Sequence, residues 1–445
     1  MMPKWSRYNV SVQEDNGHAL LFNTRTGALI RLSRARQIQT AKSIELYPDF
    51  LKFLLQQGFM VADDADEVQL VAAAHSAARS DDGVFSATIE LTEMCNFRCL
   101  YCYQVHSPEY LTDQAFERVA RYLARKMKGV RHLHVNWFGG EPLTRFGALR
   151  RFSQQLAGEA RVTGCALSQF LTTNGYMLTP STARELAELG IENVQITVDG
   201  DEEIHNRLRR HVSGQGTYSR VLSACANVVA AGMQLLMRIN VNRWNARRID
   251  GLLRDLAAKG ITSANTVIHA TRVVDHGNCS EAISSAVFTT REFAGEWISI
   301  LEAIATYGFS LPSLAPIAYN CPFDLRQTVM IGRDGSIRHC SSSNGRIADL
   351  TETGEETNHT PLYYDVKERS PLHDSSCQEC LYLPMCMGGC SYLQEIGQEK
   401  CIPERYVLPQ LVLLTAGRAK NFQKGELGNG SSEEGTRTRN RVQLL

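Results

Sequence analysis

The chain has 445 residues, with 47 basic and 47 acidic side chains and a formal net charge of zero. That balance gives no electrostatic case for nucleic acid or an anionic membrane surface as a partner. A content of 43% hydrophobic and 21% charged residues reads as soluble and globular, with room for two or three domains. The N-terminus, Met1-Met-Pro-Lys-Trp-Ser-Arg7, lacks a signal peptide's apolar core, and no apolar run approaches membrane-spanning length. Thirteen cysteines, odd in number and clustered, favour metal over disulfides and a cytoplasmic setting.

Residues 1–85 predict a small α+β domain. Leu20–Gly27 and Ala28–Leu32 read as two strands around a turn at 23–27. Residues 34–58 carry helical apolar spacing, and Pro48 is expected to split them into two helices. A strand resumes at Phe59-Met-Val61, and residues 62–82 read as helix plus linker.

Residues 86–275 alternate strand and helix, which argues for a parallel sheet. The expected strands are 86–92, 132–137, 167–172, 193–198, 234–241 and 264–270. The expected helices are 112–128, 147–160, 180–189, 218–231 and 247–259. After the first strand comes Leu91-Thr-Glu-Met-Cys-Asn-Phe-Arg-Cys-Leu-Tyr-Cys-Tyr103, with Cys95, Cys99 and Cys102 at Cx3Cx2C spacing. Three thiolates from one loop suit a soft metal centre. A 4Fe–4S cluster normally takes four thiolates, so three leave one iron open for a small molecule. A closed zinc site wants a fourth ligand, which the segment does not offer.

Further motifs follow the next strands. In Gly139-Gly-Glu-Pro142 two glycines permit close backbone approach, and Glu141 can pair with a cation. Thr172-Thr-Asn-Gly175 is at least an Asn-Gly turn. Thr197-Val-Asp-Gly200 precedes the basic cluster Arg207, Arg209, Arg210 and His211, which solvent could also claim. In Arg238-Ile-Asn-Val-Asn242 the two asparagines share a face, either the barrel interior or the surface.

Residues 276–320 hold a helix at 290–306 and a connector. Residues 321–401 hold seven cysteines: Cys321 and Cys340 around Gly335 as Cx13Gx4C, then Cys377, Cys380, Cys386 and Cys390 as Cx2Cx5Cx3C, then Cys401. An odd seven gives no closed pair of tetrahedral zinc sites. Cys165, Cys225 and Cys279 stand outside both sets, Cys225 in a helix that reads as core. Residues 403–424 read as a capping helix within a C-terminal region of 321–424, and 425–445 as a disordered tail.

Cx3Cx2C with Tyr101 before the third cysteine resembles the signature of the radical S-adenosylmethionine (SAM) enzymes, and the seven cysteines resemble their SPASM extension. The resemblance covers roughly residues 86–401. It implies a partial (β/α)6 TIM-like barrel with chemistry at the C-terminal ends of its strands. It also implies a small N-terminal winged-helix-like domain and a C-terminal Cys-rich cluster domain. SAM would chelate the open iron, and an electron from the cluster would cleave it to a 5′-deoxyadenosyl radical that takes hydrogen from the substrate.

By the same resemblance SAM would touch Tyr101, Gly139, Gly140, Glu141 (as acceptor of its ammonium group), Asn174, Thr197, Arg209 and Asn240. Cys321, Cys340 and Cys390 would hold a first auxiliary 4Fe–4S cluster. Cys377, Cys380, Cys386 and Cys401 would hold a second, making three clusters in all. Residues 1–85 would bind a leader peptide as an added strand, or else cap the barrel.

The expected partners are a ribosomally made precursor peptide and a flavodoxin- or ferredoxin-type reductant, and the expected product is a thioether or carbon–carbon cross-link. The other readings are maturation of an enzyme's active-site residue, peptide epimerisation with Cys165 or Cys279 as hydrogen donor, and a non-catalytic iron–sulfur peptide binder. Sulfatase-maturing members carry an eighth cysteine and an aspartate after the second; here that second position is Ser341. The first auxiliary cluster is thus left with an open iron, or is closed by Tyr319, His339 or a residue elsewhere.

Overall fold

A computed structural model of the chain describes residues 3–33, 47–277, 279–343 and 345–425. The N-terminal elements are β1 (Lys4–Trp5), β2 (Asn9–Gln13), β3 (Ala19–Asn23), β4 (Leu29–Leu32), α1 (Pro48–Gln56), β5 (Met60–Val61) and α2 (Glu67–Ser80). β2, β3 and β4 form an antiparallel sheet, and β1 pairs with β5. The sequence reading missed β2, whose apolar Val10 and Val12 alternate between polar neighbours. The turn at 23–27 is held by buried Asn23, whose Oδ1 accepts from the amides of Arg25 and Thr26 (both 3.0 Å). Pro48 opens α1, where its missing N–H costs nothing. The helix expected before it, and residues 426–445 of the expected tail, lie outside the described residues.

The central elements follow as β6 (Val84–Glu90), β7 (Phe97–Cys99), α3 (Asp113–Met127), β8 (His132–Phe138), α4 (Phe146–Thr163), β9 (Ala166–Thr173), α5 (Pro180–Glu188), β10 (Ile191–Thr197), α6 (Glu202–Leu208), β11 (Arg209–His211), α7 (Tyr218–Ala230), β12 (Gln234–Val241), α8 (Ile249–Ala258), β13 (Thr266–Arg272) and α9 (Thr290–Thr306). β6, β8, β9, β10, β12 and β13 are neighbours in that order and parallel throughout. The intervening helices cover the sheet. Phe116 of α3 stacks on Phe152 of α4 at 3.6 Å between ring centroids, and both are buried. Thr112, Thr179 and Thr289 cap α3, α5 and α9 through their side chains, which is why those helices begin where they do.

Within the C-terminal region expected at 321–424, residues 328–357 continue the same sheet. β14 (Thr328–Ile331) lies parallel to β6, and β15 (Ile337–Arg338), β16 (Arg346–Leu350) and β17 (Glu356–Thr357) follow antiparallel, giving ten strands. Gly335, at φ 78°, supplies the β14–β15 turn. α10 (Glu404–Gly425) lays Leu408, Val412 and Ala416 against Val12, Leu20 and Phe22 of the N-terminal sheet. No helix among the described residues is long and apolar enough to cross a membrane.

Candidate active site

A cavity of about 360 Å³ lies at the C-terminal ends of the parallel strands. Cys95, Cys99 and Cys102 line it, together with Tyr101, Gly139, Gly140, Asn174, Thr197, Arg209 and Asn240. Of the residues that sequence assigned to the cofactor, Glu141 alone is absent from its walls.

The cluster loop is shaped by two partners. β7 pairs antiparallel with β11, which sets Arg209 directly opposite Cys99. On the other side Gly140 N donates to Thr92 O (2.7 Å) and Glu141 N to Met94 O (2.8 Å). A β-carbon on Gly139, at φ 137°, would sit 2.3 Å from Thr92 O, and one on Gly140 2.5 Å from Met94 O. The two glycines are therefore required by the cluster loop itself, a closer constraint than the cofactor approach expected from sequence.

Glu141 stands behind the walls of this cavity. Its carboxylate is wholly buried and accepts from Leu143 N (2.9 Å), Thr173 Oγ1 (2.7 Å) and Asn174 N (2.7 Å). It ties the Gly-Gly loop to the Thr-Thr-Asn-Gly loop, with Oε1 accepting two of these bonds and Oε2 one. Asn174 Nδ2 in turn donates to Asn96 Oδ1 (2.7 Å) and reaches Cys95 Sγ at 3.9 Å.

Arg209 is no solvated cation. It is 6% exposed and its Nη1 donates to Tyr101 Oη (2.7 Å). Tyr101 donates to Asp199 Oδ2, which lies 3.9 Å from the guanidinium. Burial works against the Arg209 charge, but Tyr101, Cys99 and Asp199 outweigh it and raise its pKa. Asp199 Oδ1 accepts from Asn240 N (2.8 Å), so the network spans the cluster loop, β10, β11 and β12. Asp199 belongs to the Thr-Val-Asp-Gly motif, whose sequence alone carries no sign of this role. Asn242 corrects the shared-face argument: it is buried in a turn, accepts from Trp244 N (2.9 Å) and does not line the cavity.

The donor set can be tested against metal. Among the described residues no three His, Cys, Asp or Glu side chains are gathered closely enough to hold a single metal ion. Yet burial pushes Cys99 up to about 12, with neighbouring Cys102 and Cys95 adding to the rise. The loop thiols thus sit within electrostatic reach of one another but not on a common atom. A multi-iron cube, which receives each thiolate on a different corner, fits that spacing better than one zinc ion. Arg209 adds a cation to favour the thiolates.

The C-terminal cysteines fall into two neighbourhoods. Burial raises Cys321, and Cys340 and Cys390 add to it. Burial pushes Cys386 up to about 12, and Cys401, Cys377 and Cys380 add to it. Cys390 and Ser341 also line the main cavity. Tyr103, His276 and Tyr392 stack at its rim, at 4.9 Å and 5.3 Å between centroids, and His276 Nδ1 is 3.0 Å from Tyr392 Oη. Sequence carried no signal for this meeting of the cluster loop, the end of β13 and the C-terminal region. Cys225 is fully buried in α7, and neither Cys165 nor Cys279 lines the cavity.

Residues 89–256 match the Radical SAM superfamily. PqqA peptide cyclase of Methylocella silvestris is 27% identical over 224 residues, which are 48% of this chain and 54% of that protein. The chain spans about half the length of the curated relatives it matches, or less. Among solved structures, anSMEcpe with bound AdoMet shares 17% identity at a TM-score of 0.56, covering 77% of this chain and 99% of that one. SuiB of Streptococcus suis bound to precursor peptide SuiA shares 16% at 0.53, covering 91% and 98%. At those identities the likeness to the two structures is one of fold. Joined to the cluster loop, the Gly-Gly segment and the parallel strands that carry them, the match identifies residues 89–256 as a radical SAM domain.

Proposed function

We propose that the chain is a peptide-modifying radical SAM enzyme, which forms a thioether or carbon–carbon cross-link in a ribosomally made precursor. The observation that carries this reading is a shared cavity: the Cys95–Cys102 loop, the Gly-Gly segment and Cys390 of the second cysteine set all face it. Cys95, Cys99 and Cys102 would hold a 4Fe–4S cluster with one iron open to SAM. Cys321, Cys340 and Cys390 would hold a first auxiliary cluster, and Cys377, Cys380, Cys386 and Cys401 a second. When bound and reduced, the SAM-binding cluster supplies the electron that cleaves the sulfonium and starts hydrogen abstraction; that chemistry belongs to the cofactor.

The protein's residues position and shield. Gly139 and Gly140 let the loops close over the thiols, and Glu141 locks the two neighbouring loops together. Tyr101, Asn174, Thr197 and Asn240 would orient SAM, with Arg209 held in place by Asp199. β4, at the edge of the N-terminal sheet beside the partly buried Ile30, Leu32, Phe50 and Leu51, would receive a leader peptide as an added strand. A flavodoxin- or ferredoxin-type protein would supply electrons.

Epimerisation is the weaker reading, because Cys165 precedes β9 at its opposite end and Cys279, in the same apolar cluster as Tyr101, does not line the cavity. The test is anaerobic reconstitution, reduction with dithionite and assay of 5′-deoxyadenosine, alone and with candidate precursor peptides. Release of 5′-deoxyadenosine with a two-hydrogen mass loss in the peptide is the expected result. Iron without any SAM cleavage would leave the non-catalytic iron–sulfur reading.

A further inference from the structure

The cavity walls carry three arginines, Arg209, Arg238 and Arg272, and no Asp or Glu among the described residues. Their circumstances differ. Arg209 is answered by Asp199 and Tyr101. Arg238 and Arg272 form no ion pair among the described residues; Asp199 acts on Arg238, and Glu399 on Arg272, only from beyond ion-pair distance. Arg238 Nε donates to Asn240 Oδ1 (2.9 Å), and Arg272 Nη1 to the Phe288 carbonyl (3.4 Å). A guanidinium has five N–H donors, so most of each is uncommitted.

Their place in the sheet sets them away from the Gly-Gly and Thr-Thr-Asn-Gly loops, although Arg238 stands beside Thr197 and Asn240, which SAM would also use. The Gly-Gly and Thr-Thr-Asn-Gly loops follow β8 and β9. Arg238 and Arg272 stand on β12 and β13, which end the row of parallel strands away from β8. They share that wall with Thr271, His276 and Tyr392. Arg272 is half-buried, and burial lowers its pKa despite the more distant Glu399 and Cys390. A cation withdrawn from water without a carboxylate beside it is costly unless an anion arrives with the ligand.

We propose that Arg238 and Arg272 form a carboxylate-binding subsite, so that the substrate segment entering this cavity carries an acidic side chain or the chain's own C-terminal carboxylate beside the residue that reacts. The proposal rests on the reading of this cavity as the meeting place of SAM and peptide. It restricts the substrate class: a core sequence without a carboxylate near the reacting residue leaves two guanidinium groups unanswered.

The rival is that Arg272 only balances charge near Cys390, or that Arg238 meets the carboxylate of SAM. Isothermal titration into the reconstituted full chain, saturated with SAM, separates these. The probes are N-acetylglutamate α-amide (side-chain carboxylate), N-acetylglutamine (main-chain carboxylate) and N-acetylglutamine amide (neutral). A carboxylate probe should bind about tenfold or more tightly than the neutral one, the scale of a charge-assisted pair. Whichever acidic probe binds better names the source. Arg238→Gln and Arg272→Gln should each remove that preference.

Equal affinity for acidic and neutral probes, including no binding of either, overturns the proposal. So does a variant whose loss is traced to SAM affinity or to iron content. Failure of the underlying reading shows separately, as absence of 5′-deoxyadenosine when the same sample is reduced, and it removes the proposal as well.

Discussion

Glu141 offers a test in which two roles predict opposite results. Its carboxylate accepts three hydrogen bonds from Leu143 N, Thr173 Oγ1 and Asn174 N, all within 2.9 Å. Thr173 Oγ1 already accepts from Gly175 N (3.0 Å), so its proton must go to Glu141. Glu141→Gln keeps one oxygen for Leu143 and Thr173 and turns an NH2 toward the Asn174 N–H, donor against donor. Losing a charge-assisted bond and stranding a buried amide costs about 3 kcal/mol. Amide hydrogen exchange at Asn174, measured in reconstituted protein without SAM, should then quicken by about a hundredfold. If exchange is unchanged and only SAM binding weakens, the carboxylate is reserved for the cofactor's ammonium group and the reasoning here is wrong.

Other expected outcomes follow from the same geometry. Gly139→Ala places a β-carbon against Thr92 O at 2.3 Å, so the cluster loop must shift; reconstitution should lose about four irons per chain, and full iron content would contradict the close approach. Burial, with Arg238 beside it, holds His269 down at about 4 against an ordinary 6.5. The unfolded chain therefore takes up that proton first. The contribution of His269 to stability is whole above pH 6.5 and is lost as pH falls toward 4. His269→Gln should flatten that acid loss in unfolding titrations, and an unaltered slope would refute the assignment. Cys390→Ala should remove the signal of one auxiliary cluster by electron paramagnetic resonance while SAM cleavage without peptide persists; loss of cleavage would place Cys390 with the first cluster instead.

Much of this molecule could be read from sequence because its central strands announce themselves. Runs such as Gln234–Val241 are mostly apolar, and helical spacing lies between them, so the bounds of the expected and observed elements differ by at most three residues. Motifs at strand ends were legible for the same reason, since topology alone brings them to one rim. The short pieces were not. β14 to β17 have two to five residues each, and the pairing of β14 with β6 is a long-range contact that local periodicity does not encode. β2 was missed because polar residues flank its two valines. Glu141 and Arg209 show the limit for single side chains: charge in a motif suggests a ligand, whereas the partners Thr173 and Tyr101 lie more than 30 residues away in sequence. Arg238 was within reach, since alternation puts it on the face of Asn240.

The most direct test of the account is the electron paramagnetic resonance spectrum of the dithionite-reduced, reconstituted protein, recorded before and after SAM is added. The account predicts iron–sulfur signals, one of which shifts on addition and vanishes when Cys95, Cys99 and Cys102 are all replaced by alanine. A protein that takes up zinc in place of iron, or a spectrum indifferent to SAM, would contradict it.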